Sequence, residues 1–354
     1  MLYVSQPVGV GFSYTEEKAG KITDARAAED NYRTILSFFE KFPNLKGNEF
    51  YVSSESYGGH YIPQLTKMIL KEDTAHEINF RGFAVGNPYV DPFSNDVGML
   101  NAFYYHGLVP KPLFDKYNEK CATPNKYDAN TFRCQILEAK IQESPGDKIN
   151  PYALDYPVCL EGDDSAKGTV PAGIYQRLQL AKYMSSKTQL GGSIPEVDDY
   201  EPCATDYFTK YLNRADVQKA LHVRPGKWTM CAGRGFQYDF DDAGTPQIDL
   251  YKSLVTDIGV KANLNMLVFS GDDDTICSLE GTQYWIYDLG VEVNADVYWQ
   301  EWEVDGQTAG YVTKFEVEGG SFTLVTVRSA GHEVPAYKPK QGLELFRKFL
   351  GGEW

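Results

Sequence analysis

Short runs of strand-forming residues alternate along this chain with stretches of helical periodicity. Apolar and β-branched runs predict strands at Met1–Gln6, Glu49–Ser54, Ile78–Gly86, Asn265–Ser270 and Ser321–Arg328. Between the first two, Tyr32, Ile35, Leu36 and Phe39 fall at i, i+3, i+4 and i+7, predicting an amphipathic helix over Asp24–Phe42. A second helix is predicted over His60–Lys71, with Pro63 in the first turn, where it is tolerated. A third over Lys338–Leu350 places Leu343, Phe346 and Leu350 on one face. Strands alternating with helices imply a mostly parallel sheet covered on both sides. From about Pro92 to Pro202 the pattern becomes rich in Tyr, Asp and Pro with several helices, which predicts an inserted, mainly helical cap. The expected division is 1–91 for the first part of the α/β core, 92–204 for the cap, and 205–354 for the second part.

One strand end carries chemistry. The run Phe50-Tyr51-Val52 leads into Ser53-Ser54-Glu55-Ser56-Tyr57-Gly58-Gly59-His60, a strand that stops at a serine and continues as a helix. Such an elbow exposes a nucleophilic serine on a sharp turn and needs small residues two before and two after it. Ser54 and Gly58 fill those places, with Ser54 where glycine is usual. The pattern alone is weak, so its partners decide. A serine nucleophile needs a base and an acid to orient that base, here in the chain order Ser, acid, His. Of five histidines, His332 alone follows the best acid candidate, the Asp272-Asp273-Asp274 run that ends an apolar strand. His332 itself ends another strand, at Ala330-Gly331-His332. Active sites of open α/β sheets are assembled at such strand ends.

Several segments together resemble the serine carboxypeptidases of the α/β-hydrolase fold, and the resemblance runs through nearly the whole chain. They are Gln6-Pro7-Val8-Gly9-Val10-Gly11-Phe12-Ser13-Tyr14, Glu55-Ser56-Tyr57-Gly58-Gly59-His60-Tyr61, Val85-Gly86-Asn87-Pro88, the helix ending Ala220-Leu221-His222, Gly271-Asp272-Asp273-Asp274 and Gly331-His332-Glu333-Val334-Pro335. The resemblance implies Ser56 as nucleophile, His332 as base and Asp274 as its acid. Asp272 and Asp273 are rivals on chemistry alone. It implies an oxyanion donor in the N–H of Tyr57, and in Glu55 one member of a carboxyl pair that binds the substrate's terminal carboxylate. Glu333 resembles members that accept basic leaving residues, although a surface acid in a turn is an equal reading. Tyr57, Ile276 and Cys277 are expected to line the substrate pocket or to pack. The resemblance pairs Cys121 with Cys134 and Cys159 with Cys203. It likens Cys231 to the partner of an upstream cysteine, with a Cys231–Cys277 bond as the rival pairing. Members carry upstream strands and an Asn-Gly-Gly-Pro-Gly-Cys-Ser-Ser motif that this sequence lacks. Met1-Leu2-Tyr3-Val4 does not read as a signal peptide. The expectation is a chain whose first strands, second oxyanion donor and carboxyl partner for Glu55 lie upstream.

Composition narrows the field. The apolar fraction of 42% among 354 residues suffices for a large core. A net charge of −15 repels phosphate backbones and disfavours nucleic-acid partners. No apolar run is long enough to span a bilayer, so no membrane partner is expected. No metal motif occurs and no cofactor is implied. The resemblance implies release of C-terminal residues from peptides or proteins at acidic pH, in the secretory pathway (vacuole, lysosome or outside the cell). Some members dimerise, which leaves a homodimer open. The alternatives are an acyltransferase using the same triad and a catalytically impaired chain acting as a binding module. No Asn-x-Ser/Thr glycosylation site occurs, which is unusual for a eukaryotic secretory enzyme.

Overall fold

The computed structural model describes residues 1–16, 20–123, 126–127, 131–159, 200–231 and 236–354. The chain divides into two compact units. One comprises Glu49–Pro63, Phe80–Tyr156 and Gly244–Trp354; the other comprises Met1–Asn48, Gln64–Asn79 and Pro157–Ala243. Residues 160–199, within the predicted cap, lie outside the described residues.

The first unit holds a six-stranded mixed sheet. Its strands are β1 (Phe50–Ser56), β2 (Phe80–Pro88), β5 (Asn265–Gly271), β6 (Gln300–Val304), β7 (Gln307–Phe315) and β8 (Ser321–Val327); β3 (Ala122–Thr123) and β4 (Lys126–Tyr127) form a separate small hairpin. The order is β1-β2-β5-β8-β7-β6, with the first four parallel and the last two antiparallel. Parallel pairing brings the carboxyl ends of β1, β2, β5 and β8 to one edge. The runs Leu267-Val268-Phe269 and Leu324-Val325 are buried because parallel strands are covered on both faces. With Leu267, Phe269 and Val325, residues Trp302, Val327, Leu345 and Phe349 form one core cluster.

Helices α3 (Pro92–Tyr105), α4 (Lys111–Lys120) and α5 (Phe132–Glu143) follow β2. Asp91 caps α3 by accepting from the N–H groups of Phe93 (3.1 Å) and Ser94 (2.9 Å), and Pro92 opens it. Met99, Phe103, Phe114, Tyr117, Leu137 and Ile141 form their shared core. A disulfide joins Cys121, just past α4, to Cys134 in α5.

In the second unit, α1 spans Asp24–Lys41, capped by Thr23, with Ile35 and Phe39 buried. Here Cys159 is bonded to Cys203, and Cys231 is exposed. Helix α2 (Gly58–Glu72) begins directly after the serine elbow.

Two expectations are corrected, and two strands carry no prediction. Met1–Gln6 carries no strand, and Met1 and Tyr3 are exposed. The β-forming residues there have no buried face to pack on. Conversely, β6 and β7 carry no sequence prediction. In β6, Glu301 and Glu303 face solvent and only Trp302 is buried, so the strand reads as polar. The helix at Pro339–Gly351 buries Gly342, Leu345 and Phe349, whereas Leu343 is 75% exposed. Both stripes have helical spacing, and packing of Leu345 and Phe349 into the core with Trp302 and Val327 sets the buried face.

Candidate active site

Ser56 ends β1 with φ of 58°, a left-handed conformation that non-glycine residues rarely adopt. The strain is held from several sides. The Tyr89 N–H donates to the Ser56 carbonyl at 2.8 Å. A side-chain carbon at Gly58 would lie 2.6 Å from the Ser54 side chain, which explains why both positions are small. At Gly59 it would lie 2.2 Å from the Tyr89 carbonyl oxygen. Gly59→Ala is therefore expected to cost about 1–3 kcal/mol by overpacking and to displace the backbone that fixes Ser56. A denaturant midpoint indistinguishable from that of the parent chain would contradict this.

The ends of β5 and β8 bring an acid and a histidine together. His332 Nδ1 lies 2.6 Å from Asp274 Oδ2, and both side chains are buried. The Asp274 carboxylate is surrounded by donors. Oδ1 accepts from the Ile276 N–H at 2.8 Å. Oδ2 also accepts from the Cys277 N–H at 3.1 Å and from Asn87 Nδ2 at 3.0 Å. The neighbouring acids are engaged elsewhere: Asp272 accepts from the Ser329 N–H at 2.6 Å, and Asp273 from the Asp155 N–H at 3.0 Å.

The segment Asn150–Tyr156 ties the two loops together. Pro151 O accepts from the Thr275 N–H (3.0 Å) and hydroxyl (2.6 Å) on the acid loop. Leu154 N–H donates to Asp273 O at 3.1 Å. On the histidine side, the His332 N–H donates to Tyr152 O at 2.7 Å, and the Tyr152 ring meets the imidazole edge-on at 5.1 Å. Tyr156 donates its hydroxyl to Ser329 O at 2.9 Å.

Charge and burial shape the site. For His332, burial opposes protonation, but the adjacent Asp274 carboxylate, with Glu55 and Glu333, overrides it and raises the imidazole to about 9. Burial raises Glu55 to about 7; Glu333 and Asp274 push the same way, and His332 opposes them. Cys277 is buried, and its thiol is pushed up by burial, Asp274 and Glu55, against a hydrogen bond from Ser56. The Cys277 N–H in turn holds Asp274 at 3.1 Å. Tyr57, His60 and Tyr89 stack beside the serine, with ring centroids 4.5 Å apart for Tyr57–His60 and 5.3 Å for His60–Tyr89.

The serine carboxypeptidase family profile matches residues 1–352. The chain belongs to the serine carboxypeptidase family. It is 32% identical over 365 aligned positions to serine carboxypeptidase-like 26 of Oryza sativa subsp. japonica, covering all of this chain and 70% of that one. It is 31% identical to serine carboxypeptidase-like 33 of Arabidopsis thaliana, covering all of this chain and 72% of the relative. The fold matches the crystal structure of a prohormone-processing carboxypeptidase from Saccharomyces cerevisiae, with a TM-score of 0.64 at 18% identity, over 98% of this chain and 73% of that one.

In this serine carboxypeptidase family member, Glu55, Ser56, Asp274, Cys277 and His332 converge on one edge of the sheet. Ile276 contributes a buried side chain and the N–H that holds Asp274. Sequence reasoning passed over Asn87 and Tyr152. Asn87-Pro88 reads as a strand-ending turn, and only its φ of 37° and complete burial mark it out. No helix among the described residues is long and apolar enough to cross a membrane.

Proposed function

We propose that the chain is a serine-type carboxypeptidase that releases the C-terminal residue of peptides through an acyl-enzyme on Ser56. His332 takes the Ser56 proton and returns it to the leaving amine. Asp274 holds His332 in the tautomer that leaves Nε2 free to accept, and water then hydrolyses the ester. The N–H of Tyr57, next in the chain, supplies one oxyanion donor. The observation that carries this reading is the strained Ser56 at the end of β1, at the same sheet edge where β5 and β8 lead to the buried Asp274–His332 pair. The same reading takes 92–204 as an insertion in the α/β core.

Glu55 supports recognition of a terminal carboxylate at acidic pH. Below about 7 its buried carboxyl is protonated, so it repels no anion and can donate a hydrogen bond to one. Protonation of Glu55 also removes one of the anions that raise His332, so the imidazole becomes easier to deprotonate in the same pH range. Two disulfides favour an oxidising compartment, in keeping with the secretory pathway.

A fluorophosphonate probe is expected to label Ser56 stoichiometrically, and Ser56→Ala is expected to abolish labelling together with cleavage of peptides bearing a free C-terminus. C-terminally amidated peptides are expected to be poor substrates. Absence of labelling would leave a binding module as the better reading. Labelling followed by transfer of the acyl group to an alcohol in preference to water would favour an acyltransferase.

A further inference from the structure

We propose that Asn87 is a positioning residue whose side-chain amide fixes the Asp274 carboxylate against His332; this rests on the hydrolytic reading above. Asn87 closes β2, between the strand that ends in Ser56 and the strand that leads to Asp274. It is fully buried, and it holds a left-handed backbone with φ of 37°. Asparagine visits that region more readily than most residues, because its short side chain can bond locally. Its side chain is engaged on every polar atom. The amide nitrogen lies 3.0 Å from Asp274 Oδ2, 3.2 Å from Gly271 O and 3.3 Å from both Ser270 Oγ and Cys277 O. The amide oxygen accepts from the Gly271 N–H at 2.9 Å. One side chain therefore bridges the end of β5, the carboxylate and the turn after it.

The contact has a chemical consequence. Asn87 donates to the same oxygen that meets His332 Nδ1. A donor there shares the negative charge that would otherwise act on the imidazole proton alone. Removing it leaves Asp274 less constrained and concentrates its charge on His332. The other ionisable groups facing the pair are Glu55 and Glu333, which act on the imidazole, and Cys277, which lies beside Asp274. None of them donates to Asp274 Oδ2 through its side chain in place of Asn87.

The test uses Asn87→Gly, which suits the left-handed backbone, and Asn87→Ala. Either variant is expected to lower kcat about 10- to 10²-fold with KM within about twofold, as for a displaced catalytic group. The acid limb of the kcat profile is expected to move to higher pH by about half a unit or more. The imidazole titration, followed by NMR in a Ser56→Ala background, is expected to move the same way without any turnover. A limb and titration that stay in place or move to lower pH would overturn the proposal, whatever the loss of activity. Full hydrolysis by Ser56→Ala alone would instead overturn the hydrolytic reading, while the NMR titration would still judge Asn87. If Asn87→Gly fails to fold, Asn87→Ala decides by the same readouts.

Discussion

Asp274→Asn is expected to lower kcat by about 10⁴ while leaving KM nearly unchanged. The reason lies in the donors around the carboxylate. Oδ1 faces the Ile276 N–H, while Oδ2 faces His332, the Cys277 N–H and Asn87. An asparagine has one acceptor oxygen and one donor nitrogen. If its nitrogen faces His332, it opposes two further donors there and forces Nδ1 of the imidazole to accept. Nε2 then carries the proton, and no base remains for Ser56. If the oxygen faces His332, the nitrogen meets the Ile276 N–H, and the anion that stabilises the imidazolium is still lost. Steady-state kinetics on a peptide with a free C-terminus would measure the effect. Activity within tenfold of the parent chain would remove Asp274 from the proposed triad.

The folded protein is expected to be more stable at pH 5 than at pH 8, by about 15 °C in unfolding temperature. Burial raises Glu55, Glu138 and Asp273 each to about 7, well above their unfolded values. A carboxyl whose folded value is raised binds its proton more tightly in the native state. Between roughly pH 4 and 7 the native state therefore holds more protons than the unfolded chain, and stability falls as pH rises. His332 acts in the same sense: its raised value contributes stability below the unfolded histidine range that is lost as pH rises through about 9. Each pH unit between folded and unfolded values is worth about 1.4 kcal/mol, so three carboxyls raised by roughly two to three units together cost of order 10 kcal/mol at neutral pH. In a chain of this size 1 kcal/mol corresponds to roughly 2 °C. The lowered acids, such as Glu344, Glu353 and Asp216, sit in exposed ion pairs and contribute little against this. Scanning calorimetry across pH would read the slope, and Glu55→Gln/Glu138→Gln/Asp273→Asn is expected to flatten it. A transition temperature that is level or rises from pH 5 to 8 would refute the assignment.

Ser56, Asp274 and His332 could be picked out because each interrupts an apolar run at its end, where a polar residue is conspicuous. Their proximity could not be read in the same way, since the Asp274–His332 contact spans 58 positions and depends on parallel pairing of β5 with β8. Asn87 was legible only as part of a segment resembling a family strand end; its role gave no signal, because an Asn-Pro pair is ordinary turn chemistry. The strength of its role lies in bonds to residues more than 180 positions away. β6 was hidden by its solvent-facing glutamates, and Met1–Gln6 was overread because strand-forming residues need a partner to become a strand. At Pro339–Gly351 the period was legible but its phase was one residue off. Spacing determines that a helix has an apolar stripe; packing determines which of two adjacent stripes turns inward.

Asn150–Tyr156 makes the loops of Asp274 and His332 a jointed pair with a common rivet. Its backbone carbonyls at Pro151 and Tyr152 grip one loop each, so neighbouring links of a single strand of chain set the spacing between acid and base. Carbonyl grips are indifferent to side-chain identity but intolerant of length. An engineer seeking a smaller hydrolase would have to keep Tyr152 and Tyr156, whose ring and hydroxyl also meet the histidine loop, and deleting a single position from the segment would pull the two halves of the proton relay out of step.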